Sequence, residues 1–131
     1  MGKWNVDAIS EPGILRLELE GKMEPPEMGA FVDAHNRAVD GYAGRDYKVF
    51  CDISKMLPLS PECAALFERA KRHSAAQKGF QGSGVLVASA TVAMQHRRTS
   101  TEGGVMGTEL ISSDESEIRA HLRTVRRNGR R

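Results

Sequence analysis

The chain has 131 residues, of which 40% are hydrophobic and 27% charged, the make-up of one globular domain large enough to bury a core without disulfide staples. A formal net charge of +2 is too small to imply a nucleic-acid partner, and with aromatics at 5% there is little material for stacking single-stranded bases. No apolar run approaches the roughly 20 residues of a membrane span, and the opening MGKWNVDAIS lacks the apolar stretch of a signal peptide, so a cytoplasmic location is expected.

Residues 4–10, WNVDAIS, alternate loosely and suit a strand, and Glu11-Pro12-Gly13 signals a turn. ILRLELE, residues 14–20, puts Leu15, Leu17 and Leu19 on one face and Arg16, Glu18 and Glu20 on the other. The two segments predict an antiparallel hairpin with one wet face. Pro25 and Pro26 suit a helix start, and Met28, Phe31, Val32, His35, Ala38, Val39 and Tyr42 follow at helical spacing. YKVFCDI, residues 47–53, reads as a strand buried on both faces. A second helix is expected from Ser60 to about Gln77, with Pro61 first and Glu62 beside it, and Ala64, Phe67, Ala70 and Lys71 along one side.

GVLVAS, residues 84–89, reads as the next buried strand, with the glycines of GFQGSG (79–84) as its approach. Residues 90–100 read as a third helix, GGVMG as a loop and TELIS, residues 108–112, as a last strand. Asp114 and Glu117 resemble a capping box, and Ile118, Leu122 and Val125 stripe a terminal helix. The expected architecture is α/β: a mixed sheet of five strands, an N-terminal hairpin followed by mostly parallel strands, with four helices. Residues 1–125 read as one domain and 126–131 as a basic tail, where Arg126, Arg127, Arg130 and Arg131 extend a run begun by Arg119 and Arg123.

This order, with KVFCDISKM as a central strand and ELISSDESEIRAHL as a closing strand, acidic turn and helix, resembles the STAS superfamily: bacterial anti-sigma factor antagonists and their relatives. It resembles equally the stand-alone STAS domains related to lipid-binding SEC14-like proteins. The first resemblance implies a regulatory, kinase-like protein partner in bacterial signalling, and the second a small-molecule or lipid carrier. Phospho-switched members open the helix after the central strand with Asp-Ser-Ser-Gly. Here Leu59-Ser60-Pro61-Glu62 stands at that place, with one serine and no glycine, while Asp52 matches the family's strand aspartate.

Ser60 therefore has two readings. As a helix cap its hydroxyl accepts a free N–H, worth about 1 kcal/mol. As a phospho-acceptor it would place an anion where the helix terminus favours one, although Glu62 repels it. The cap reading ranks first. Ser54, Met56, Leu57, Leu59 and Glu62 form the candidate partner surface, because three large apolar residues are unusual in a loop. They serve equally to staple the helix onto the core. Asp52, Ser89, Thr91 and Ser112 fall at expected carboxyl ends of parallel strands, the usual ligand rim of such sheets. Turn and cap duty accounts for them more simply.

Cys51 and Cys63 are expected to be free, packed thiols. The four histidines show no metal-ligand spacing, and His96-Arg97-Arg98 reads as part of a solvated helix face. No catalytic constellation, cofactor motif or metal site is legible. The sequence thus ranks a non-enzymatic protein-interaction module first, a small-molecule or lipid carrier second and an enzyme third.

Overall fold

The computed structural model describes residues 2–127. Its elements run β1 (Lys3–Glu11), β2 (Ile14–Gly21), α1 (Pro25–Gly41), β3 (Tyr47–Met56), α2 (Pro61–Ala75), β4 (Phe80–Leu86), α3 (Ala90–Gly103), a 3-10 turn (Met106–Thr108), β5 (Glu109–Ser112) and α4 (Glu115–Thr124). The sheet has the order β1-β2-β3-β4-β5. β1 and β2 pair antiparallel, and the three remaining pairings are parallel. This is the expected mixed sheet with four α-helices.

Alternation along the strands separates two cores. Leu15, Leu17 and Leu19 of β2 and Val49, Cys51 and Ile53 of β3 join buried residues of α1, α2 and α3 in the larger one. Phe50 points the other way and meets Ile118 and Leu122 of α4 in the smaller one. Each fully buried Leu or Phe contributes about 1.5–3 kcal/mol relative to exposure, so the larger core dominates the stability. Beside α4, the guanidinium carbons of Arg16 and Arg119 each lie 4.6 Å from the centre of the Phe50 ring. Charged side chains thereby continue the cover over a face that α4 only partly shields.

The helix starts follow their sequence signals. Pro25 opens α1, where a missing N–H costs nothing. The Glu27 carboxylate accepts backbone N–H groups from Glu24 at 2.9 Å and Gly2 at 3.1 Å, tying the N-terminus to the helix. At α4 the expected capping box forms only in part. Asp114 Oδ1 accepts from Ser116 N at 2.9 Å, but Glu117 turns away to accept from Ser112 Oγ at 2.6 Å. Ser112 Oγ in turn accepts the Asp114 N–H that Glu117 was expected to hold.

The fourth strand departs from expectation. It begins at Phe80, inside the stretch read as an approach, and ends at Leu86. Its glycines are sites of close approach. A Cβ on Gly84 would stand 2.5 Å from Ile118 Cγ2, and one on Gly82 would stand 2.7 Å from Val125 Cγ2. α4 and its C-cap lie so near the sheet that β4 has no room for side chains at Gly82 and Gly84, and without them the strand pattern disappears from the sequence there. The tail reading also changes for Arg127. Its backbone N–H donates to Gln81 Oε1 at 3.1 Å, and its guanidinium donates to the carbonyls of Ala75 and Gln77. Arg130 and Arg131 lie outside the described residues.

Candidate functional site

The parallel strands deliver their carboxyl ends to one pole. There the segment Leu57–Ser60 leads into α2, and Val87–Ser89 leads into α3. Ser60 is the N-cap of α2: its extended backbone lets Oγ accept the Cys63 N–H at 3.2 Å. Ser89 does the same for α3, accepting from Val92 N at 3.1 Å. Gln95 of α3 joins the two segments. Its side-chain oxygen accepts the Leu59 N–H and its amide donates to the Leu59 carbonyl, both at 2.7 Å.

The apolar residues of this loop divide. Met56 and Leu59 are buried in the larger core and fix the entry to α2, as a staple does. Leu57 is 54% exposed. Met94, one residue before the clamping glutamine, is 68% exposed. Leu57 and Met94 thus sit on two segments that Gln95 holds together, with Ser60 and Glu62 at the start of α2. Ser54 is turned to Asp52 instead, donating to Asp52 Oδ1 from its N–H at 3.0 Å and its Oγ at 2.6 Å.

The proposed rim is largely occupied by such local bonds. Asp52 also has Arg16 Nη2 at 3.8 Å, Ser89 caps α3 and Ser112 links Asp114 to Glu117. Thr91 is exposed in the first turn of α3. Asp52, Ser89 and Ser112 thus serve turns and caps.

A cluster that sequence reasoning missed lies deeper, between α2, α3 and β5. Lys71 is buried, and its Nζ donates to Thr99 Oγ1 and Ser100 Oγ, each at 2.6 Å, and to His96 Nε2 at 2.8 Å. Ser100 Oγ donates onward to Glu109 Oε1, whose partner oxygen takes Ser83 Oγ at 3.0 Å. Desolvation draws the Lys71 ammonium down to about 8, opposed by the Glu109 charge. It also draws His96 down to about 4, so the imidazole is neutral at neutral pH and accepts from Lys71. Burial works against ionisation of Glu109, but its hydroxyl donors and the nearby Lys71 ammonium hold the carboxyl below its ordinary range. His96, expected on a solvated basic face, is instead fully enclosed, while Arg97 and Arg98 beside it are exposed. The helices meet tightly here, since a Cβ on Gly103 would stand 2.6 Å from Lys71 Cβ.

Lys71, His96, Glu109, His35 and Ser74 border an internal cavity of about 30 Å3, room for about one water molecule. His35 is likewise held to about 4 by burial. Cys63 is buried and donates to the Met23 carbonyl at 3.5 Å, while burial pushes the Cys51 thiol up to about 12; both cysteines are free. Among the described residues, no group of three His, Cys, Asp or Glu side chains is placed to hold a metal ion. Among them, too, no helix is long and apolar enough to cross a membrane.

The antiparallel hairpin, the parallel strands and the single helix α4 behind them define the SpoIIAA-like, STAS-type fold. A crystal structure of an uncharacterized DUF3478-family protein from Shewanella loihica PV-4, described as having a SpoIIAA-like fold, superposes with a TM-score of 0.67 at 13% sequence identity. The alignment covers 92% of this chain and 93% of that one. The sequence matches no protein-family model and no curated protein.

Proposed function

We propose that this STAS-type domain is a non-enzymatic interaction module that docks a regulatory protein, in a bacterial setting, at the pole formed by the Leu57–Ser60 segment and the start of α3. The observation that carries this reading is the exposure of Leu57 and Met94 on segments tied together by Gln95. Large apolar side chains exposed on two linked segments favour a protein partner. Docking them would bury surface already held in place, so little ordering entropy is lost on binding. Ser60 and Glu62 place polar groups at the edge of that surface. Ser60 acts first as a cap; phosphorylation there would remove the cap and add negative charge beside Glu62.

The carrier reading gains no support from the interior, where the cavity beside Lys71 has about 30 Å3, far below the volume of a lipid chain.

The test is an affinity capture from cells of the native host, comparing the wild type with Leu57→Glu/Met94→Glu and analysing bait and partners by mass spectrometry. The reading expects a partner that the double variant loses while its melting temperature stays within a few degrees of the wild type. A partner retained by the double variant refutes the surface. A small molecule bound at the Leu57/Met94 surface in place of any protein refutes the function.

A further inference from the structure

At the opposite pole, a surface groove of about 470 Å3 runs between the β1–β2 turn and the C-terminal half of α4. Its size falls in the range of small-molecule sites. Four cations line it, Lys48, Arg119, Arg123 and Arg126, against two carboxylates, Glu11 and Asp46. Glu11 is already engaged, since Arg119 Nη1 donates to both of its oxygens at 3.1 and 2.9 Å. Asp46 accepts from Gln81 Nε2 at 3.4 Å. Among the described residues, neither Arg123 nor Arg126 has a carboxylate within ion-pair distance.

The remaining cations are crowded and held. Lys48 Nζ donates to the Leu122 carbonyl at 2.5 Å, and Arg126 Nη1 donates to the Val125 carbonyl at 3.3 Å. Lys48 thereby sits at the negative end of the α4 dipole, and Arg126 follows just past the helix end. The Arg126 charge helps to lower the Lys48 ammonium below its ordinary range, after burial, so the two repel across the groove. Lys48 retains two N–H donors and Arg126 most of its fork. A concave surface with mutually repelling cations and spare donors is complementary to an anion of more than one charge.

We propose that this groove binds a small multivalent oxyanion of the phosphate type, held by Lys48, Arg123 and Arg126. It is separate from the apolar pole, and its failure would leave that surface untouched.

Calorimetric titration of the full chain with sodium pyrophosphate, at ionic strength balanced with chloride, tests the site. Saturable one-site binding is expected, weakened about tenfold for each charged contact removed in Arg123→Gln/Arg126→Gln and in Lys48→Met. The two arginines are exposed, so the first variant keeps its melting temperature. Arg130→Gln/Arg131→Gln, altering basic residues that the assignment does not use, is expected to bind as the wild type does. Four results overturn the assignment: no saturable binding; equal, weak binding of sulfate and pyrophosphate that the groove variant does not change; loss confined to the Arg130/Arg131 variant; or a hexaglutamate peptide bound more tightly than pyrophosphate through the same residues, which would make the groove a protein-docking surface.

Discussion

Replacing Lys71 with methionine removes one charge from the buried cluster and keeps the aliphatic stem. In the wild type the ammonium satisfies Thr99, Ser100 and His96, and through Ser100 it offsets Glu109. In Lys71→Met the Glu109 carboxylate, whose side chain is 3% exposed, keeps its charge with the hydroxyls of Ser83 and Ser100 and, at 3.8 Å, the His96 imidazole as its remaining partners. Orphaning one member of a buried pair costs about 3–5 kcal/mol. A domain of this kind holds about 5–15 kcal/mol in total, so the variant should fold with a melting temperature lower by roughly 10–20 °C.

Lys71→Met/Glu109→Gln removes both charges and should cost much less than the sum of the single changes, because no ion is left stranded. The single variant also carries a pH signature. Without the lysine, one of the charges that hold Glu109 down is gone, so its carboxyl should titrate higher than in the wild type. A folded-state carboxyl that titrates higher in the variant takes up more protons as pH falls, so the variant's deficit relative to wild type narrows on acidification. Urea unfolding followed through Trp4 fluorescence at pH 7 and pH 5 measures both effects. A single-variant cost below about 1 kcal/mol, a deficit that does not narrow at pH 5, or strict additivity in the double variant would refute the reasoning.

Ser60→Ala removes the α2 cap and should cost about 1 kcal/mol in urea unfolding, with Ser60→Gly costing only a few tenths. His35 and His96 are both held near 4 against 6.5 in the unfolded chain, so the unfolded state binds more protons between those values. Stability should therefore fall as pH drops from 6.5 toward 4, by about 3 kcal/mol for each histidine, seen as a falling urea midpoint. Cys51 and Cys63, both buried, should resist alkylation at neutral pH in the native chain and react at once in denaturant. Gly84→Ala should cost about 1–3 kcal/mol through overlap with Ile118, and Gly84→Ala/Ile118→Ala should cost less than the two changes summed.

Much of the fold was legible because local chemistry and tertiary demand agreed. The leucines of β2, the prolines opening α1 and α2 and the Ser60 cap all occupy the roles their spacing announces. β4 was placed late because its face toward α4 is written in glycine, and a requirement imposed by a helix some thirty residues downstream leaves no local pattern. In the apolar loop, sequence alone could not separate Leu57 from Met56 and Leu59, since all three are equally hydrophobic and only the Gln95 clamp and the turn of the chain decide which faces water. The Lys71 cluster escaped for a related reason. Lys71 stands on the apolar stripe of α2, and His96, Thr99, Ser100 and Gly103 recur along α3, but a polar stripe signals solvent until a second polar stripe is known to face it.

The glycines of β4 also bear on the order in which the molecule can be built. A strand with Gly82 and Gly84 at its centre has weak intrinsic preference for extended structure and no side chains there to pack. The groups that fill that space, Ile118 and Val125, come from α4 and its C-cap, well downstream in the chain. During synthesis from the N-terminus, the β1–β2 hairpin, α1 and β3 can assemble around the larger core while β4 still waits for its cover. Helix α4 is therefore the element that covers β4, and during synthesis the strand gains that cover only after α4 has left the ribosome.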